Sequence, residues 1–234
     1  MKWQQALLDY KSYLKIERGL SQNSIDSYAL DVNKLITYLE HRDLQESPIS
    51  ISSELVHQFV YDIAKLVNAR SQSRIISGLR SFFDYLIFED YIKVNPLEQV
   101  ESPKIGRKLP DTLSEADINR LIAAIDLSKP QGERNRAMLE TLYSCGLRVS
   151  ELVSLKLSDL FFEEGFLKVT GKGDKQRFVP ILKNTQKYIN IYINDIRNHL
   201  KIQPGHEDTL FLNRRGKQLT RAMIFTIIKQ LAEK

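Results

Sequence analysis

One cysteine, four histidines, seven prolines and ten glycines in 234 residues leave little room for several kinds of chemistry. Cys145 has no partner for an internal disulfide, which excludes a stapled framework and fits a reducing, cytoplasmic setting. A small buried side chain is the simpler reading of it than a nucleophile. His41, His57, His199 and His206 share no ligand spacing with that cysteine, so no metal site is expected. No Ser-His-Asp arrangement can be argued either. No apolar run is long enough to cross a bilayer and no N-terminal signal pattern occurs, so a membrane partner is not expected. Gly171-Lys172-Gly173 lacks the spacing of a P-loop and the third glycine of a dinucleotide loop.

What the chain does have is an ordinary globular composition, 42% apolar and 27% charged, with positive charge unevenly placed. Residues 1–100 carry 11 Lys and Arg against 13 Asp and Glu; the remainder carries 34 − 11 = 23 against 29 − 13 = 16. An acidic first part and a basic second part suit a polyanion lying mainly on the second, although solvated surface charge gives the same counts.

Four apolar stripes at helical spacing fill the first hundred residues. Trp3, Leu7, Tyr10 and Leu14 form one, ending before Gly19. Ser21 is placed to cap a second, with Ile25, Tyr28, Val32, Leu35, Ile36 and Leu39 inward. Ser52 or Ser53 starts a third, with Val56, Phe59, Val60, Ile63 and Leu66, and a fourth spans about 71–91 with Ile75, Leu79, Phe82, Phe83 and Leu86. Short connections make this a small helical bundle. On the opposite face of the fourth helix, Arg70, Arg74, Ser77 and Ser81 form a stripe without an acid, able to approach a phosphate backbone. Asn23 and Ser24 are candidates for further polar contacts; a plain solvated face fits the same residues.

Residues 101–110, with two prolines, a glycine and the bases Lys104, Arg107 and Lys108, read as an interdomain linker whose basic character suits crossing a duplex, although a merely solvated linker looks much the same. Residues 111–234 then read as mostly helical, with three short antiparallel strands at 160–162, 166–170 and 177–179. Ser114 and Asp117 form a capping-box pattern ahead of Ile118, Leu121, Ile122 and Ile125. A helix over about 133–144 stops at Gly146, and further helices are expected over 184–200 and 220–232.

Two pieces of this second part carry candidate chemistry. Arg148 opens a short helix with Glu151 one turn on, so the acid can hold a guanidinium whose remaining donors face an outside anion. Lys172 sits between Gly171 and Gly173 in a hairpin turn, followed by Lys175 and Arg177. A structural salt bridge and a solubilising turn remain open as alternative readings of the two.

Taken together, Cys145-Gly146-Leu147-Arg148-Val149-Ser150-Glu151-Leu152 and Thr170-Gly171-Lys172-Gly173-Asp174-Lys175-Gln176-Arg177-Phe178-Val179-Pro180 resemble the tyrosine recombinases. Within that phage integrase family the chain is most similar to bacterial Xer recombinases. Arg18-Gly19-Leu20-Ser21, Asn95-Pro96, Leu113-Ser114-Glu115, Leu210-Phe211-Leu212 and Leu219-Thr220-Arg221 extend the likeness over the whole length. The resemblance implies a mainly α fold: an N-terminal four-helix, SAM-like core-binding domain over 1–100 and a catalytic domain over 111–234. Its chemistry would be metal- and cofactor-free cutting and rejoining of DNA through a 3′-phosphotyrosyl link. Arg148 would stabilise the phosphate, Lys172 would protonate the leaving 5′-oxygen, and Glu151 would support the arginine. Duplex DNA at a recombination site would be the partner, with further recombinase copies or a paralogue in a tetramer on two duplexes. Chromosome-dimer resolution is the role implied; a phage or mobile-element integrase and a non-catalytic DNA-binding relative are the alternatives. Besides Lys175 and Arg177, Arg221 is a candidate DNA contact.

The family also requires a His-x-x-Arg helix and a nucleophilic tyrosine. No histidine here is followed by arginine at the third position, and no tyrosine follows Tyr192. The chain is therefore expected to be truncated at its C-terminus, to bind DNA without cleaving it, and to expose Ile224, Phe225, Ile227, Ile228 and Leu231 on its last helix or cover them with another copy.

Overall fold

A computed structural model describes residues 1–106, 109 and 111–233, the side chain of Lys172 excepted. The chain divides into two compact units, Met1–Leu109 and Pro110–Lys234, each with its own apolar core.

The first unit contains α1 (Trp3–Ile16), α2 (Gln22–Glu40), α3 (Ser53–Ala64) and α4 (Ala69–Phe88). Helical spacing of apolar residues explains all four, since the expected stripe residues are the ones that lose water. Tyr10, Leu14, Val32, Leu35, Val56, Phe59, Ile75, Leu79, Phe82, Phe83 and Leu86 are all at most 1% exposed. Each large apolar side chain so buried contributes roughly 1.5–3 kcal/mol. Tyr10 meets Phe82 edge-on at 5.3 Å and donates its hydroxyl proton to Ser81 Oγ at 2.8 Å. Ser81 thus faces the core side of α4 and satisfies a buried phenol, instead of continuing the outward stripe.

Two cap expectations part company. Ser52 accepts the Leu55 amide, as its position suggests. Ser21 stands at the N-cap of α2 but makes no such bond, because its hydroxyl pairs with Ser24 Oγ at 3.0 Å. Leu66, expected inward, is 79% exposed because α3 ends at Ala64, before the stripe reaches it.

Between α2 and α4 a buried carboxylate replaces an apolar contact. Asp31 accepts from Arg74 Nη1 at 2.6 Å and from Lys34 Nζ at 3.2 Å. Its room comes from Gly78, where an added Cβ would stand 2.7 Å from Asp31 Oδ2 and 2.8 Å from its Cβ. Alanine usually stabilises a helix interior relative to glycine by about 1 kcal/mol. Gly78→Ala is expected to do the reverse, costing about 1–3 kcal/mol through overpacking, as read by urea denaturation.

The second unit contains α5 (Glu115–Ala123), α6 (Gly132–Ser144), α7 (Val149–Ser154), α8 (Lys183–Ile191) and α9 (Arg221–Ala232). Strands β1 (Leu160–Phe161), β2 (Phe166–Thr170) and β3 (Gln176–Pro180) form an antiparallel sheet in the order β1-β2-β3. In register, Leu167 faces Val179 and Val169 faces Arg177. Leu167 and Val169 are the buried residues of the sheet and point toward the helices.

The capping box of α5 forms in both directions between Ser114 and Asp117. The Ser114 hydroxyl, at 2.7 Å, and amide, at 2.9 Å, both donate to the Asp117 carboxylate and, helped by Arg120, hold it down at about 2. Of its expected apolar face, Ile118, Leu121 and Ile122 are half-buried, and Ile125, just past the end of α5, is buried in the core. Gly146, at φ +56°, closes α6 as the helix-stop reading expects.

The helix expected over 184–200 does not run unbroken. After α8 it widens into a π turn, Tyr192–Ile196, and then tightens into a 3-10 turn, Arg197–His199. Both anchors of this stretch are internal. Tyr192 stacks on Phe211 with its hydroxyl accepting the Leu212 amide at 3.1 Å, while Arg197 donates to the Thr209 carbonyl at 3.0 Å. A widened turn lets both face the 209–212 segment.

The expected apolar patch on α9 is smaller than its sequence suggests. Ile224 and Leu231 are buried, and Ile227 and Ile228 are half-buried against the core. Phe225 at 69% and Met223 at 41% are what remains exposed. Two turns separate Ile224 from Leu231, so one face of α9 seats on this unit's own helices, including α5 and α7.

Candidate functional site

The site is built where α6 stops. The left-handed Gly146 turns the chain, and Arg148 lands at the N-cap position of α7 with extended backbone. Arginine lacks a capping oxygen, so the first turn of α7 is served from the other direction. Glu151, its third residue, accepts the Arg148 amide on Oε2 at 2.8 Å. The same carboxylate accepts Arg148 Nη1 on Oε1 at 2.9 Å. Backbone and side chain of Arg148 are therefore fixed by one acid.

Glu151 has a second partner that sequence spacing does not reveal. Arg177, on β3, donates Nη1 to Oε1 at 2.8 Å and Nη2 to Oε2 at 2.9 Å. The Glu151 side chain is 2% exposed, whereas those of Arg148 and Arg177 are 72% and 41% exposed. The two-point bond from Arg177 is the main cause that pulls the Glu151 carboxyl down to about 2, with the Arg148 amide and guanidinium adding to it against burial. Gly171 completes the enclosure. A Cβ there would stand 3.3 Å from Glu151 Oε1 and 3.4 Å from Arg177 Nη1.

Gly171 also begins the β2–β3 turn, with its amide donating to the Lys175 carbonyl at 2.8 Å. Lys172–Asp174 form a single 3-10 turn at the tip. The Lys172 backbone is thus on the hairpin whose base packs on Glu151, while its side chain lies outside the described residues. Lys175 is exposed in the same turn, and Arg221 is exposed as the first residue of α9.

Arg70 and Ser77 are exposed on α4, and Ser77 donates to the Ser73 carbonyl at 2.9 Å. Arg74 is paired with buried Asp31. Asn23 is exposed on α2, and Ser24 is half-buried beside Ser21. Lys104 is exposed in the extended segment after the first bundle; Arg107 and Lys108 lie outside the described residues. Arg80 is an addition, donating to the Val100 carbonyl and, at 3.5 Å, to Ser102 Oγ. It ties the chain leaving the bundle back onto α4.

Cys145 is 7% exposed, and burial pushes its thiol up, away from the reactive form. Among the described residues, no three His, Cys, Asp or Glu side chains gather where they could hold a metal ion. No helix among them is long and apolar enough to cross a membrane.

Comparison with known proteins follows the same division. The family model described as "Phage integrase family" matches residues 111–234, and "Phage integrase, N-terminal SAM-like domain" matches residues 7–90. Tyrosine recombinase XerD of Oceanobacillus iheyensis is 39% identical over 227 residues, covering 97% of this chain and 76% of that protein. XerD of Pseudomonas aeruginosa is 38% identical over 220 residues, covering 94% and 73%. Among solved structures, lambda integrase (residues 75–356) bound to DNA aligns with a TM-score of 0.73 at 18% identity, covering 100% of this chain and 78% of that one. XerH bound to a palindromic difH substrate aligns with a TM-score of 0.72 at 20% identity, covering 97% and 67%.

Proposed function

The chain belongs to the phage integrase family, the tyrosine recombinases, and on that premise we propose that it recognises a duplex recombination site and presents Arg148 to one phosphate of it. One observation carries the reading. Arg148 is held by a buried acid through its amide and Nη1, yet its side chain is 72% exposed, and the cluster keeps one net positive charge because Glu151 is matched twice. A structural salt bridge would need no second arginine.

The chemistry follows from the geometry. With one Nη1 hydrogen committed to Glu151, the rest of the fork is free among the described residues to take two non-bridging oxygens of a phosphate. Charge growing on those oxygens during strand cleavage would meet donors already oriented, which is where such sites gain most of their rate. Lys172, on the adjacent hairpin, would then give its proton to the departing 5′-oxygen. Lys175, Arg221, Arg70, Ser77, Asn23, Ser24, Lys104, Arg107 and Lys108 would serve as backbone contacts that set register without reading sequence. A XerD-type role on two duplexes in a tetramer, as in chromosome-dimer resolution, is the closest fit to relatives at 35–39% identity.

Cleavage by these 234 residues themselves is not expected. Tyr192 is fully buried with its hydroxyl engaged, and Tyr188 accepts from Arg136 at 2.7 Å. We therefore assign this chain a binding role, with cleavage dependent on a His-x-x-Arg and tyrosine segment. Duplex binding should weaken steeply with salt, log K falling against log salt with a slope of about −0.9 per phosphate engaged. Salt-independent or undetectable binding would overturn the reading. Incubation with a nicked site should leave no covalent adduct; an adduct would overturn the binding-only assignment and point to exposed Tyr143.

A further inference from the structure

We infer that Arg177 is a positioning residue that locks the Lys172 hairpin to the Arg148 turn through Glu151, and that it is not a DNA contact. This deepens the recombinase reading and rests on it for its functional meaning.

Little apolar burial fastens β3 to the helices. None of its five residues is buried: Gln176, Arg177, Phe178 and Pro180 are exposed and Val179 is half-buried. Phe178 packs on Phe166 at 4.7 Å, which joins strand to strand but does not join the sheet to the helices. Val179 rests half-buried against the apolar core, and the polar contact from β3 to the helical body is specific, both Nη atoms of Arg177 on both oxygens of Glu151. Arg177 also sits opposite Val169, next to the pair Thr170 and Gln176 that ends the ladder. An anchor at that register acts two steps from the loop base formed by Gly171 and Lys175. The tip bearing Lys172 is therefore held at its root.

A second consequence is electrostatic. Alone with Arg148, Glu151 would cancel much of the charge that a phosphate is to meet. Arg177 supplies the compensating cation, so the acid orients Arg148 without neutralising the pair. A fork is required, since a lysine in its place keeps the charge but cannot bridge both oxygens.

Amide hydrogen exchange and salt-dependent DNA binding on the intact chain test this. Arg177→Lys should speed exchange of amides 171–176 at least about tenfold, the consequence of losing bonds to a charged group. Leu167 and Val169 amides should exchange as in wild type, and duplex affinity and salt slope should stay within about twofold, the positive charge being retained. Glu151→Gln should loosen the same amides, and the double variant should add little, because both remove one interaction. Unchanged hairpin exchange in Arg177→Lys, or additive effects in the double variant, would overturn the inference. Arg177→Met gives an independent check: a salt slope reduced by about 0.9 with the hairpin unmoved would make Arg177 a phosphate contact instead. Should the wild-type chain bind no DNA while the hairpin still loosens, the recombinase reading fails and the lock stands.

Discussion

Glu151→Gln is expected to destabilise the C-terminal unit by about 2–3 kcal/mol at neutral pH, measured by urea unfolding of the intact chain. Four hydrogen bonds meet at this carboxylate, one of them satisfying a helix-start amide, a cap worth about 1 kcal/mol by itself. Removing one member of a fully buried ion pair costs roughly 3–5 kcal/mol because a charge is left stranded. Here the stranded charges are arginines with side chains 72% and 41% exposed, which recover water, so the lower figure applies. The amide of glutamine would also turn two donor hydrogens toward two guanidiniums. Acid should erase the difference between wild type and variant. The folded carboxyl sits at about 2, below an unfolded value of about 4.3, so the folded state binds fewer protons in that interval. Its contribution is whole above about pH 4.5 and disappears as pH falls toward 2. A stability gap that stays constant across that window would mean that the charge of Glu151 is not what holds the turn.

How far sequence reaches is visible in this same cluster. Arg148 and Glu151 are three apart on one helical turn, so their pairing follows from helix geometry alone. Arg177 is 26 residues from Glu151, and its partner is set by a strand register and by the place where the sheet meets α7. Neither is a local quantity. The Arg74–Asp31 pair has the same origin, two helices whose crossing is fixed by packing around Gly78. An interior aspartate within an apolar stripe, Asp31 beside Val32, was the available signal, since a buried acid needs a cation nearby.

What periodicity fixes well is which face of a helix is dry. It places the four helices of the first unit because their stripes are long and uninterrupted. It fails where a stripe outlasts its helix, as at Leu66, and where side chains re-phase a helix, as at Tyr192 and Arg197. The α9 expectation fails for a different reason. Five apolar residues suggested one exposed patch, but a helix divides them by angle, and only the unit's own packing says which angle is already covered.

Arg148→Ala should carry the largest functional effect. In a protein extended with the His-x-x-Arg and tyrosine segment of a XerD relative, it is expected to slow strand cleavage by about 10²–10³-fold or more, as for loss of one pre-oriented donor group. Stability should hardly move. An exposed pair contributes only about 0–1 kcal/mol, and the Arg148 amide, which Glu151 also holds, survives in alanine. DNA affinity should fall only slightly, because one of many phosphate contacts is lost and the salt slope changes by at most about 0.9. Lysine should not restore the rate, since a single ammonium cannot span two phosphate oxygens while also resting on Glu151. The decisive comparison is cleavage against folding in the same variant. If Arg148→Ala lost stability and cleavage in proportion, the arginine would be a brace for α7 and not the group that meets the phosphate. If cleavage fell alone, the buried acid beneath it would be explained. On that outcome Glu151 orients a cation that keeps free donors for an outside anion, and Arg177 leaves the cluster with a net positive charge.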